Sequence, residues 1–278
     1  MKVEKIMSLL KSAKVLVAIA FLSCSWVVNA SGEETQQKKP DTFKFGLGAF
    51  FITNSETTLR LDSRDVPAGV YINLERQLGV KTENSVGRID GYYRFNANHR
   101  FDYGYYPIKR RGTHTLATEI PINPPITVGT ELTTIFDTAT YKLGYTYSFY
   151  HSNQVELGLG AGLHATSYKL SLKSTGGTID DGASITAPLP VVSFLLNYNI
   201  SNNWLFTYNT QAFFLQYDGS EGSLTDTSLA VEYRGFDNLS FGLGFNRVDF
   251  NVEFADEEYL GTVDNAVEGF TTYMALYF

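Results

Sequence analysis

The last ten residues, Gly269-Phe-Thr-Thr-Tyr-Met-Ala-Leu-Tyr-Phe278, alternate by side. Phe270, Thr272, Met274, Leu276 and Phe278 fall on one face of a strand. Gly269, Thr271, Tyr273, Ala275 and Tyr277 fall on the other, because strand side chains repeat with a period of two. The same alternation recurs in Tyr141-Lys-Leu-Gly-Tyr-Thr-Tyr-Ser-Phe149 and Leu239-Ser-Phe-Gly-Leu-Gly-Phe245. Beyond residue 30 no apolar stretch is long enough to cross a bilayer as a helix. A chain that crosses one with strands must close them into a ring, since lipid offers no partner to an open sheet edge.

The first thirty residues read differently. Lys2, Lys5, Lys11 and Lys14 precede an apolar run, Val15 to Val28, that ends in Val28-Asn29-Ala30. A charged start, an apolar centre and a small-residue exit mark a secretory signal peptide, residues 1–30, cut after Ala30. Cys24, the single cysteine, lies inside it; Phe21-Leu-Ser-Cys24 is a poor lipidation motif, and Val28-x-Ala30 explains the segment better. The remainder has no cysteine, hence neither disulfide nor thiolate chemistry. Residues 31–42 form a polar leader expected in the periplasm, and 43–278 the barrel. Of 22 basic and 29 acidic side chains, residues 1–30 hold four lysines and one glutamate, so the rest carries a net charge of −10. That acidity excludes a nucleic-acid partner, which requires a basic surface.

Turn signals set the strand count. Asn96-Ala-Asn98, His151-Ser-Asn153, Ser201-Asn-Asn203 and Gly235-Phe-Asp237 are short polar turns between alternating segments. Longer polar stretches, Ser174–Thr186, Asp218–Gly222 and Ala255–Ala266, read as loops. Nine strands follow, near 86–95, 99–118, 127–150, 154–173, 187–200, 204–217, 223–234, 238–254 and 267–278. The region before them supplies an odd number if both ends of the barrel lie on the turn side. Strands at 43–53, 56–63 and 69–79 give an all-β antiparallel transmembrane barrel of about twelve strands, with ten, and a long first loop, as the alternative.

Faces follow from parity. Apolar sets such as Leu59 and Leu61, Val70, Ile72 and Leu74, or Phe241 and Leu243 should face lipid, with aromatics (Phe95, Tyr147, Phe149, Tyr198, Trp204, Phe206, Tyr233) banded beside the short turns as an interfacial girdle. The opposite face carries both charge signs: Arg60, Asp62, Glu75, Arg88, Asp90, Arg94, Arg100 and Asp102 form an expected lumen network. Across the Asn96–Asn98 turn, Arg94 should oppose Arg100, so carboxylates must settle the pair. Ser148 should pair with Glu156, Thr140 with His164, and Glu232 with Ser240. The polar inward face points to a narrow passive channel for small solutes, and the near-balance of sign argues against strong ion selectivity. Lys109, Arg110 and Arg111 sit where lipopolysaccharide phosphates could accept charge-assisted hydrogen bonds.

Catalytic readings gather less support. His151-Ser152-Asn153 lacks the spacing of a lipid A deacylase His-x-Ser-Asn motif and lies in a turn at the wrong end. His99, His114 and His164 have no serine and acid partners in the sequence, and no metal-ligand spacing, cofactor motif or nucleophile elbow occurs. A lipid-modifying enzyme and a structural or surface-interaction barrel remain the alternatives to the channel.

Signal segment, alternating strands, short turns, long loops and the stripe Phe270, Met274, Leu276, Phe278 together resemble the bacterial outer-membrane β-barrel proteins. Ile72-Asn-Leu-Glu-Arg-Gln-Leu-Gly79, Tyr93-Arg-Phe-Asn-Ala-Asn-His-Arg100 and Tyr145-Thr-Tyr-Ser-Phe149 resemble a largely uncharacterised group among them. The resemblance implies a monomer in the outer membrane in contact with lipopolysaccharide. It also implies that the C-terminal stripe is an insertion signal for the barrel-assembly machinery. It implies no activity.

Overall fold

The computed structural model describes residues 41–63, 66–120, 126–174, 176, 180–217, 220–236, 238–255 and 259–278; the expected signal peptide, Cys24 and the leader up to residue 40 lie outside them. The described chain forms eleven strands: β1 (Phe43–Ser63), β2 (Val66–Asn73), β3 (Asn84–Arg94), β4 (His99–Thr115), β5 (Glu131–His151), β6 (Val155–Ser174), β7 (Asp180–Asn199), β8 (Trp204–Tyr217), β9 (Ser220–Tyr233), β10 (Leu239–Ala255) and β11 (Tyr259–Tyr277). One short helix, α1 (Leu74–Leu78), follows β2. Sequential antiparallel pairing runs from β3 to β11, and β11 returns to β1 from Lys44↔Tyr277 to Ser63↔Tyr259. The ring is therefore closed by ten strands, and β2 stands outside it, paired only along the upper half of β1.

Ten strands, not twelve, is the count, and the reason lies between residues 43 and 79. The segments 43–53 and 56–63 are one strand, continuous through a bulge that shifts its register against β11 between Ile52 and Asn54. The third expected strand, 69–79, divides into the end of β2 and α1. Asn73 caps the helix, its side chain accepting from the Arg76 N–H at 2.8 Å while Gln77 accepts from the Asn73 N–H at 2.6 Å. Gly79 ends it in the left-handed conformation, φ 67°.

The bulge also exchanges faces, since one extra residue turns every later side chain to the other side. Below it Phe50 and Ile52 are buried inside; above it Ser55 and Thr57 are inside. Leu59, Ile72 and Leu74, expected against lipid, instead pack into an interior cluster with Leu78, Val80, Leu132 and Phe136. The side chains of Leu61, Asp62 and Val70 lie outside the described residues.

The expected long loops are mostly strand. β6 and β7 stay paired to Lys173↔Asp180, and β10 and β11 to Ala255↔Leu260. Outward Lys169, Ser171, Lys173, Asn251, Glu253, Thr262 and Asp264 are polar there, which is what mimicked loops. Inward Val248, Val252 and Val263 supply the apolar side, packed on Phe250 and Leu224. The apolar face is thus outward in the turn-end half and inward in the loop-end half.

That change marks the lipid boundary. On β5 the outward residues run Phe149, Tyr147, Tyr145, Leu143, Tyr141, Ala139 and then Asp137. With a rise of about 3.4 Å per residue and a tilt of about 40°, Ala139 to Phe149 spans about 26 Å, the height of a barrel's apolar band. All 21 residues of β5 reach roughly 55 Å by the same estimate. The eight residues Glu131–Thr138 of β5, roughly 20 Å of wall by the same estimate, therefore stand clear of the hydrocarbon at the loop end.

Candidate functional site

Within the apolar band the lumen is polar and paired. At the turn end, Arg94 and Arg100 are opposed as the register requires, and both are buried. Arg94 crosses to Glu156 at 2.7 Å and Arg100 takes Asp102 at 2.9 Å, with both guanidinium groups over the Tyr92 ring. Separate carboxylates settle the two arginines. Glu156 also accepts from the Ser148 hydroxyl at 2.5 Å and the Asn197 amide at 2.9 Å. Next to them Glu232 accepts from Lys44, Arg234, Tyr273 and Tyr277 at 2.5–3.0 Å, and Arg234 reaches Asp41 at 3.1 Å.

A second layer crosses the middle. Arg88 pairs with Asp90 at 3.0 Å and donates to Asn246, whose amide donates to Asp226 at 3.0 Å. Asp226 is joined by Lys142. Lys142 is on β5 and Asp226 on β9, four strands apart in a ring of ten, so this ion pair spans the lumen. Tyr106 lies beneath both cations, and His164 bonds Gln211. Six cations (Lys44, Arg88, Arg94, Arg100, Lys142, Arg234) meet six carboxylates (Asp41, Asp90, Asp102, Glu156, Asp226, Glu232) among the described residues. Between the two layers is a cavity of about 170 Å³, lined by Arg88, Arg100, Asp102, Asn209 and Gln211 among others.

At the loop end, α1 and the segment after it form a cap on the inner side of β5. Leu74, Leu78 and Val80 are buried over Leu132 and Phe136. The gap between β3 and β4 above Ile89↔Tyr105 is sealed by the same segment. Asn84 donates to the Lys109 carbonyl at 2.6 Å, and Gly79 lies on Gly112 so closely that a Cβ at 112 would stand 2.1 Å from the Gly79 carbonyl oxygen. Glu75 is the polar anchor of this cap: it accepts from Arg110 at 2.5 Å and from the Thr57 N–H at 2.8 Å. Arg110 also donates to the Thr57 hydroxyl at 2.6 Å, which accepts from Asn265 at 2.8 Å. Burial pushes the Arg110 guanidinium down from its ordinary value, and the Glu75 carboxylate opposes that.

Of the expected lumen network, Arg88, Asp90, Arg94, Arg100 and Asp102 are brought together. Glu75 is in the cap, on a helix. Arg60 follows the bulge and lies over the Tyr71 ring at 4.9 Å, away from that network. Sequence pairing missed Lys44, Lys142, Glu156, Asp226 and Glu232 as its partners. Parity did place Glu156 and Glu232 inward, but ion pairs between distant strands have no local signal. Register shifted by two for some expected pairs without changing face: Thr140 opposes Thr166, Lys142 opposes His164, and Glu232 opposes Gly242. Ser148 opposes Gly158 because of a bulge before Tyr150, yet its hydroxyl still reaches Glu156.

Outside, Arg110 is not available to a headgroup. Lys109 and Arg111 are exposed, and the register Lys109↔Asp137↔Lys169 sets a third basic residue beside them just above the band. Ser152 caps its own turn, accepting from the Val155 N–H at 3.0 Å. His99 stacks on Phe95 and bonds the Tyr145 hydroxyl within the aromatic girdle. Phe270, Met274, Leu276 and Phe278 are all outward and exposed.

No family model matches the chain, and no curated protein matches it. Solved structures do. The outer-membrane protease OmpT of Escherichia coli aligns over 86% of this chain and 97% of its own at 12% identity, TM-score 0.57. The transport unit of the autotransporter AIDA-I of Escherichia coli aligns over 89% and 93% at 11% identity, TM-score 0.43. Ail of Yersinia pestis aligns over 84% and 97% at 11% identity, TM-score 0.36. Identities this low speak for architecture only. The chain has the fold of the bacterial outer-membrane β-barrel proteins, and that fold with its apolar outer band is the structure of a protein of the outer membrane.

Proposed function

We propose that this barrel is non-conducting in the conformation described, and that its role is exercised by the loop-end wall that stands above the lipid. The observation that carries this reading is the Lys142–Asp226 pair. It links strands four places apart and is tied through Asn246 to Arg88. A solute would have to break it and then displace the apolar cap beneath α1. The narrow channel suggested by a polar inward face is thus the weaker reading, because the same polar residues are spent on one another. In planar bilayers the wild-type protein should be silent, whereas Lys142→Ala with Asp226→Ala, combined with Leu74→Ser and Leu78→Ser to loosen the cap, should give small conductance steps. Steady steps from the wild type would overturn the proposal.

A separate observation bears on partners. Lys109, Arg111 and Lys169 form an outward basic group at headgroup height, with only Asp137 set among them in the register. That arrangement supports contact with lipopolysaccharide phosphates through charge-assisted hydrogen bonds. Lys109→Glu with Arg111→Glu should lower the lipopolysaccharide that co-purifies, read as bound phosphate, without altering heat-modifiable mobility. The outward stripe from Phe270 to Phe278 is the surface the barrel-assembly machinery would meet. The ring closes within one chain, which supports a monomer.

A further inference from the structure

Among the described residues two places in the wall lack strand pairing, and proline starts each. β4 leaves β3 above Tyr105, with Pro107 next but one, and β7 leaves β8 above Val192↔Ala212, with Pro190 and Pro188 next in line. Proline has no N–H, so it sits in a strand only where its nitrogen faces an open edge. Pairing of β6 with β7 runs unbroken past both prolines, through Leu163↔Pro190 and Ala165↔Pro188, so the open edge is the one toward β8. The first gap is covered by the segment from Gly79 to Asn84. Over the second, no described backbone group pairs.

We infer that the β7–β8 seam is a lateral opening that takes the acyl chain of an outer-leaflet lipid. Three observations carry it. First, the seam lies at the top of the apolar band: outward residues are Val192, Pro190 and Pro188 and then Thr186 on β7, and Ala212 and Phe214 and then Gln216 on β8. The medium against its lower part is therefore hydrocarbon, and against its upper part headgroup. Second, it leads inward to apolar groups. Val191, Leu224 and Phe250 form a buried cluster, with Leu189 and Phe213 at its margin, and Leu215 is 46% exposed although its parity faces it inward. Phe214, at the outer lip, is 75% exposed. Third, the two prolines remove donors that a guest β-strand would need, so a peptide is disfavoured. An acyl chain needs none, and the polar edge above it at Thr186 and Gln216 suits the head of the same amphiphile.

The test uses the full-length barrel carrying Trp204→Phe, reconstituted in vesicles of a phospholipid brominated along its acyl chains. Phe213→Trp places a reporter inside the seam, and Phe50→Trp places one inside the wall where β1 is paired on both sides. Bulk lipid cannot reach an inward side chain through a paired wall. The Phe213 reporter should be quenched several-fold more than the Phe50 reporter. Pro188→Thr with Pro190→Thr restores the missing donors and should lower that quenching toward the Phe50 level. Folding is checked by heat-modifiable mobility, and Leu189→Trp replaces Phe213→Trp if the latter does not fold. Quenching of both seam reporters no greater than at Phe50 would overturn the inference.

Discussion

Glu75 shows how much one residue's setting decides. In a strand it would have been one more lumen charge; on α1 it closes a buried polar knot with Arg110 and Thr57 under an apolar cap. Glu75 and Arg110 side chains are 7% and 1% exposed, so removing one partner strands the other in a poor dielectric. The loss expected for such a broken pair is about 3–5 kcal/mol, far above the ~1 kcal/mol of an exposed pair such as Arg76–Glu56. Glu75→Ala should therefore lower the stability of the loop-end half by that order in urea titration in vesicles, and Arg76→Ala should hardly change it. Equal effects of the two would show that the cap is not held by this knot.

At the scale of the element, β1 is the strand whose reading from sequence went furthest astray, and its bulge is the cause. The turn-end parts of β3 to β11 were legible because they alternate between turn residues, with the β5 bulge before Tyr150 lying at its very end, and the turn at Asn96–Asn98 fixes Arg94 opposite Arg100. Alternation says nothing about an inserted residue, so Leu59 and Arg60 were assigned to each other's faces. Nor does it say that the apolar face changes sides where lipid gives way to water, which is why Ala255–Ala266 read as loop. Lys142–Asp226 was illegible for a third reason: ring closure, not neighbouring sequence, brings β5 and β9 face to face. The bulge can be tested directly. Deleting Thr53 alone should merely remove the bulge and keep Ser55 and Thr57 inward, whereas deleting Thr53 with Asn54 should leave the pairing of Lys44–Ile52 with β11 intact but turn Ser55 and Thr57 outward, freeing Glu75 and Arg110 from Thr57. Limited proteolysis of the double deletion in vesicles should cut the loop-end half early and spare the band. Wild-type resistance throughout would mean that β1 above the bulge is not what holds α1.

The described barrel is a tube with two unlike ends, and its orientation follows from that difference. The turn end is short: Asn199 bonds Gln154, and Thr42 and Phe43 both bond the Phe278 carbonyl, so little of the described chain lies beyond the girdle of Phe95, Tyr147 and Trp204. The loop end carries the charged rim, with Arg247 bridging Asp249 and Glu268 at 2.8–2.9 Å on the outer face of β10 and β11. Charged wall crosses a bilayer poorly, whereas short turns present little polar surface to the lipid side from which a barrel enters. The loop end should therefore face outward and the turns the periplasm. Asp264→Cys, outward on the exposed part of β11, should react on intact cells with a thiol reagent that does not cross the membrane, and Asn202→Cys, in the β7–β8 turn, should react only after the outer membrane is opened. Reaction at residue 202 but not at 264 would invert the molecule. It would carry the basic group at Lys109 and the β7–β8 seam to the inner leaflet, away from lipopolysaccharide, and the lipid at the seam would then have to be a phospholipid.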